Sequence, residues 1–89
     1  MKDRYLEITY RNGEQFAAYL YLNRKVGTKS SKTKKISDGL VADFDDKGNV
    51  IGLEIISPLT TNTSDINKAL KSLELSPVSK LELAPLKAA

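Results

Sequence analysis

Apolar and polar residues alternate most regularly between Ile36 and Ile56, and the alternation predicts a β-hairpin. Leu40, Ala42 and Phe44 fall on one side and Val41, Asp43 and Asp45 on the other, the period of a strand with one wet face. Val50 to Ile56 reads as the returning strand. Between the runs, Asp45-Asp46-Lys47-Gly48 suits a type I turn followed by a left-handed residue, a geometry glycine adopts without steric cost. Gly52, inside the second run, marks a bulge or a close approach of another group to the backbone.

A second hairpin is predicted at the start of the chain. Arg4 to Tyr10 and Gln15 to Leu22 are strand-like and flank Asn12-Gly13, the strongest short hairpin signal. A regular two-residue type I′ turn sets Arg11 opposite Glu14, Thr9 opposite Phe16, Glu7 opposite Ala18 and Tyr5 opposite Leu20. That register gathers Leu6, Ile8, Tyr10, Ala17, Tyr19 and Tyr21 on the other face. Both faces are then partly apolar, as expected of a hairpin covered on one side by a helix and partly on the other by a tail or a partner.

Asn23 to Ser37 holds Gly27, repeated Ser, Thr and Lys, and almost no apolar residue, and it reads as a loop or a charged edge strand. After Ser57-Pro58 the run from Thr60 to Asp65 is dense in helix-capping residues. Ile66, Ala69, Leu70 and Leu73 then recur at helical spacing, with Ser64 as the expected N-cap and Asp65 placed well against the helix dipole. Beyond Ser76-Pro77 the sequence alternates weakly and is interrupted by Pro85, so it reads as an arm. The expected architecture is one α+β domain over residues 1–75, a four-stranded antiparallel β-meander with one helix packed on a face, followed by a C-terminal arm over 76–89.

Composition narrows the chemistry. In 89 residues there is no cysteine and no histidine, which removes disulfides, thiol chemistry, histidine base catalysis and the usual zinc or haem ligands. A chain of this size buries only about 60–65 % of its unfolded surface, so a binding surface is expected ahead of a deep pocket. The N-terminus carries no apolar signal core and no apolar run reaches membrane-spanning length, so a cytoplasmic location without membrane insertion is expected. The net charge of +3 is uneven: Arg24, Lys25, Lys29, Lys32, Lys34 and Lys35 cluster without an acid among them, leaving a net acidic remainder. Such a cluster is either a solvated connection or a grip for phosphates.

Asp43, Asp45, Gly48, Val50 and Glu54 fall at positions one, three, six, eight and twelve of an EF-hand loop, but Lys47 stands where the fifth position needs a ligand and the flanks alternate as strands. The hairpin accounts for the same residues. Glu54, between Leu53 and Ile55, belongs on the wet face of its strand rather than in an acid–base pair. No catalytic, metal-binding or cofactor-binding residue is therefore expected. Tyr19 and Tyr21 beside the basic cluster could stack nucleotide bases, but cross-strand packing is the better account of strand tyrosines, and no RNP-like motif is present.

From Ser37-Asp-Gly-Leu-Val-Ala-Asp43 through Asp45, Gly48, Asn49, Gly52 and Glu54-Ile-Ile56, the chain resembles a small prokaryotic family, domain of unknown function 2283. Ala18-Tyr-Leu-Tyr-Leu22 is similar to that family's second-strand segment, so the resemblance covers Tyr10 to Pro58. The first turn departs from the family pattern, lacking its two acids and running one residue longer. The resemblance implies an antiparallel sheet with a helix and no established activity; the neighbourhood of such genes to small toxin-like genes implies an antitoxin or accessory partner. Two functions are expected of such a chain. The first is a non-enzymatic protein-binding domain, antitoxin-like or accessory to a small toxin-like protein or forming a homo-oligomer, with Leu81, Leu83 and Leu86 of the arm as anchors. The alternative is a nucleic-acid-binding module built on Arg24, Lys25, Lys29, Lys32, Lys34 and Lys35 with Tyr19 and Tyr21.

Overall fold

The computed structural model describes residues 4–22, 29–79 and 83. It contains five strands and one helix in the order β1 (Arg4–Arg11), β2 (Glu14–Leu22), β3 (Lys32–Ser37), β4 (Leu40–Phe44), β5 (Val50–Ile55) and α1 (Thr63–Ser72). All neighbouring strands pair antiparallel, in the spatial order β1-β2-β5-β4-β3. The α+β class and the single helix agree with expectation, but the four-stranded meander is corrected in two respects. The basic segment adds a fifth strand, β3, at one edge. The two hairpins meet through β2 and β5, so β2 is not adjacent to the strand that follows it.

The first hairpin shows why the expected register fails. Asn12 and Gly13 take positive φ values of 53° and 79°, as a type I′ turn requires. Arg11 and Tyr10 pair with Glu14 and Gln15 as expected, but Thr9 then pairs with Ala17, leaving Phe16 as an extra residue in β2. This bulge shifts every later pair by one. Leu6 meets Leu20 and Ile8 meets Ala18, whereas a regular hairpin would have put β1's aliphatic residues and β2's on opposite faces of the sheet. The sheet accepts one bulge to bring both sets to a single core. Ile51 of β5 and Ile36 of β3 are extra residues of the same kind in their own ladders.

The core lies between the sheet and α1. Leu20, Leu22, Leu40, Leu53 and Ile55 from the strands and Ile66, Ala69 and Leu70 from the helix form one buried cluster, with Leu6, Ile8, Ile36, Phe44 and Leu73 partly buried around it. Burying each of the larger side chains contributes about 1.5–3 kcal/mol. The helix begins at Asn62 rather than Ser64. The Asn62 side chain accepts from the Asp65 backbone N–H at 2.9 Å, and the Asp65 carboxylate accepts from the Asn62 N–H at 3.3 Å, a reciprocal capping box. At the other end Glu74 sits at φ 61°, its N–H bonded to the Lys71 carbonyl and the Leu75 N–H to that of Leu70, a Schellman stop made without glycine.

The segment after the helix returns along the domain. Asn67 donates to the Val78 carbonyl and accepts from the Val78 N–H, at 3.1 and 2.8 Å, and Arg4 donates to the carbonyls of Ser76 and Pro77. Val78 and Leu83 are both buried in the core cluster. No helix among the described residues is long and apolar enough to cross a membrane.

Candidate partner-binding face

The side of the sheet away from the core is organised by the register into transverse rows. One row runs Glu7, Tyr19, Glu54, Val41 and Lys35 from β1 to β3; the next runs Tyr5, Tyr21, Gly52, Asp43 and Thr33. Alternation along each strand puts both rows on the same face. The bulge at Phe16 is what brings Tyr5 and Glu7 here, opposite Tyr21 and Tyr19.

Three tyrosines form a connected cluster. The rings of Tyr5 and Tyr21 stack with centroids 4.3 Å apart and 13° between planes, and Tyr19 meets Tyr21 edge-on at 4.7 Å and 67°. Both geometries are favourable for aromatic quadrupoles. The Tyr21 hydroxyl donates to Glu7 Oε1 at 2.9 Å, and the Tyr19 hydroxyl donates to Asp43 Oδ2 at 2.8 Å. To reach Asp43, two strands away, the Tyr19 ring lies across Gly52, where a β-carbon would overlap the phenol. Gly52 is thus the close approach its sequence position foretold, and the approaching group is Tyr19.

Charge on this face is predominantly negative. Glu7, Asp43 and Glu54 carry carboxylates across its middle, and the cation in these rows, Lys35, lies at the far edge in an ion pair with Asp38 at 3.2 Å. Tyr5 remains 61 % exposed, so the aromatic cluster is accessible. Among the described residues no three acidic groups come close enough together to hold a metal ion.

The EF-hand candidates are separated by the same geometry. Asp45 organises its turn: Oδ1 accepts from the Lys47 and Asn49 N–H groups at 2.9 and 2.8 Å, and Gly48 takes φ 85° to close it. The bond from the Asn49 backbone is the largest influence on the Asp45 carboxyl and, with the Asn49 side chain and Lys47, holds it below its ordinary value against the opposing desolvation. Asp43 meanwhile faces Tyr19, and Glu54 points to solvent. An open hollow of about 440 Å³ beside the helix start is lined by Ser37, Asp38, Ser57, Thr60, Thr61 and Asp65. Its two threonine hydroxyls both donate to the Ser57 carbonyl, so they complete a turn rather than present a nucleophile.

The residues expected to grip nucleic acid do not converge. Lys32 and Lys34 pair with Phe44 and Ala42 and so belong to the helix side of the sheet, while Lys35 pairs with Val41 and belongs to the tyrosine side. Strands β4 and β5 separate this edge from Tyr19 and Tyr21 on β2, about 14 Å at ordinary strand spacing, with Asp43 and Glu54 between. Lys29 is exposed just before β3, and Arg24 and Lys25 lie outside the described residues. Of the arm leucines, Leu83 is buried in the domain's own core, and Leu81 and Leu86 lie outside the described residues. Tyr10, expected beside Tyr19 and Tyr21, is on the opposite face and 53 % exposed. Tyr5 and Glu7 were missed as members of the cluster; the signal was the mismatch of β1 and β2 apolar faces, which only a bulge resolves.

A twisted antiparallel sheet, helix-covered on one side and bearing an aromatic, acidic surface on the other, makes this a small α+β domain with a sheet-face site. Residues 17–57, which run from β2 through β5, match the model of a family described as protein of unknown function (DUF2283). The resemblance seen in the sequence is therefore shown for the three inner strands and β3. No curated protein and no solved structure matched the chain.

Proposed function

We propose that the chain is a small non-enzymatic protein-binding domain whose tyrosine face receives a basic protein partner, in the manner of an antitoxin or accessory subunit holding a small toxin-like protein. The observation that carries this reading is the cluster of Tyr5, Tyr19 and Tyr21 set among Glu7, Asp43 and Glu54 on one open sheet face. Tyrosine supplies large contact area with few rotatable bonds, and these rings are already stacked, so little ordering cost remains on binding. Arginine or lysine from a partner can lie over the exposed ring of Tyr5 and pair with the carboxylates of Glu7 and Glu54. The same carboxylates repel a phosphate backbone, which weighs against the nucleic-acid alternative on this face.

The reading is tested by titrating a ¹⁵N-labelled sample with an arginine-rich peptide, an acidic peptide of equal length and a mixed-sequence single-stranded oligonucleotide. The arginine-rich peptide is expected to shift amides of β1, β2 and β5, and Glu7→Lys with Glu54→Lys to weaken it about 100-fold, tenfold for each reversed charge. Oligonucleotide binding that steepens at low salt and disappears when Lys29, Lys32, Lys34 and Lys35 are changed to Ser would overturn it in favour of nucleic acid.

A further inference from the structure

The two edges of the sheet are built differently. At one edge β3 is short and carries Lys32, Lys34 and Lys35, a pattern that discourages pairing with another strand. At the other edge β1 extends over eight residues, Arg-Tyr-Leu-Glu-Ile-Thr-Tyr-Arg, without lysine, proline or a bulge of its own. No strand among the described residues pairs with its outer side. The apolar rows of the core also run out here: Leu6 and Ile8 are only half-buried, and Tyr10, on their side of the sheet, is 53 % exposed.

We infer that β1 is a dimerisation edge that pairs antiparallel with β1 of a second copy, centred on Ile8. In that register Ile8 meets its counterpart, Leu6 meets Tyr10, Glu7 meets Thr9 and Tyr5 meets Arg11 of the other chain. Residues of one face stay on one face, so two five-stranded sheets become one ten-stranded sheet around a twofold axis normal to it. Each pair is compatible. The apolar rim of the core is covered from both sides, Arg11 gains a second aromatic face besides Phe16, and no like charges oppose each other. Centring on Glu7 instead would oppose two carboxylates, and centring between Glu7 and Ile8 would match the core face of one chain with the tyrosine face of the other. Among these three centres, only Ile8 keeps the faces matched without opposing like charges. The resulting sheet carries two tyrosine faces side by side, yet the inference does not depend on what those faces bind.

The test is sedimentation equilibrium of the full chain with two variants, alongside hydrogen exchange of the β1 amides. Wild type is expected to dimerise, with β1 protection rising with protein concentration. Thr9→Glu, at an exposed position, sets a glutamate opposite Glu7 twice in the dimer and should raise the dissociation constant about tenfold. Adding Glu7→Lys to Thr9→Glu turns both clashes into opposite-charge pairs and should restore the constant to within about threefold of wild type. A wild-type chain that stays monomeric with concentration-independent β1 exchange would overturn the inference. So would a dimer indifferent to Thr9→Glu, or one that Thr9→Glu breaks and Glu7→Lys fails to restore. Far-UV circular dichroism of each variant identifies loss of fold, and the wild-type exchange experiment decides the matter without any substitution.

Discussion

Replacing Gly52 by alanine adds one methyl group under the Tyr19 ring. The backbone at Gly52 is not in the left-handed region, so the cost comes from contact and not from strain. The sheet is fixed on both sides of Gly52, and the phenol must give way. Its displacement breaks the Tyr19 hydroxyl bond to Asp43, a bond to a charged acceptor worth about 1.5–3 kcal/mol, and disturbs an edge contact with Tyr21 worth about 0.5–1.5 kcal/mol. Two effects offset part of this. Alanine in a strand is better than glycine by about 0.5–1 kcal/mol, and a ring on an open face can relax toward solvent. A net loss of about 2 kcal/mol is expected, and about 10 °C in melting temperature for a domain of this size. Urea unfolding should be run on Gly52→Ala, Tyr19→Ala and the double variant. Without the ring, Gly52→Ala should become neutral or stabilising by up to about 1 kcal/mol, giving a coupling of about 2–3 kcal/mol. Equal costs of Gly52→Ala in both backgrounds would refute the assignment of Gly52 as the seat of Tyr19.

Three further outcomes are expected. Asn62→Ala should destabilise by about 1 kcal/mol and Ser64→Ala by less than about 0.5 kcal/mol in thermal or urea unfolding, since the cap is Asn62. Glu74→Gly should stabilise by about 0.5–1 kcal/mol, because residue 74 holds φ 61° at the helix stop and glycine adopts that conformation freely; a loss of stability would mean the Glu74 side chain has an unseen role. Because the folded-state pKa of Asp45 lies below its unfolded value of 3.8, its contribution is present above pH 3.8 and lost as pH falls through the lower folded value. Asp45→Asn should therefore flatten the acid limb of the stability curve in that window alone, as followed by urea midpoints from pH 2 to 6.

The parts of the fold that were readable in the sequence are those decided locally. The β4–β5 hairpin is an alternating run closed by a turn whose residues supply their own geometry, with Asp45 capping and Gly48 at positive φ. The helix was visible in Ile66, Ala69 and Leu70 because its period is sustained. Its start was misplaced because Thr60 to Asp65 offers several caps, and the deciding feature is the reciprocal bond between Asn62 and Asp65. Strand β3 carries no inward apolar period, since an edge strand can hold its place through backbone pairing, and with lysines at Lys32, Lys34 and Lys35 the sequence leaves loop and charged edge strand undivided; the structure shows the edge strand. The order that sets β2 beside β5 depends on contacts far apart in the chain. The tyrosine face was half visible for the same reason: Tyr19 and Tyr21 follow from β2 alone, whereas Tyr5 and Glu7 join them only once all five strands choose a common core.

The extra residue at Phe16 has a further meaning for how this hairpin can vary. A bulge holds one residue out of the pleat, so a chain lacking Phe16 would close with the same turn, the same pairs from Thr9 and Ala17 onward, and the same residues facing inward. Strand length at that point is decoupled from the phase of everything beyond it. An insertion elsewhere in β2 would turn Leu20 and Leu22 out of the core, but here a single codon can come or go without cost to the interior. The family match begins at Ala17, immediately after this point, where length ceases to be free and phase becomes binding.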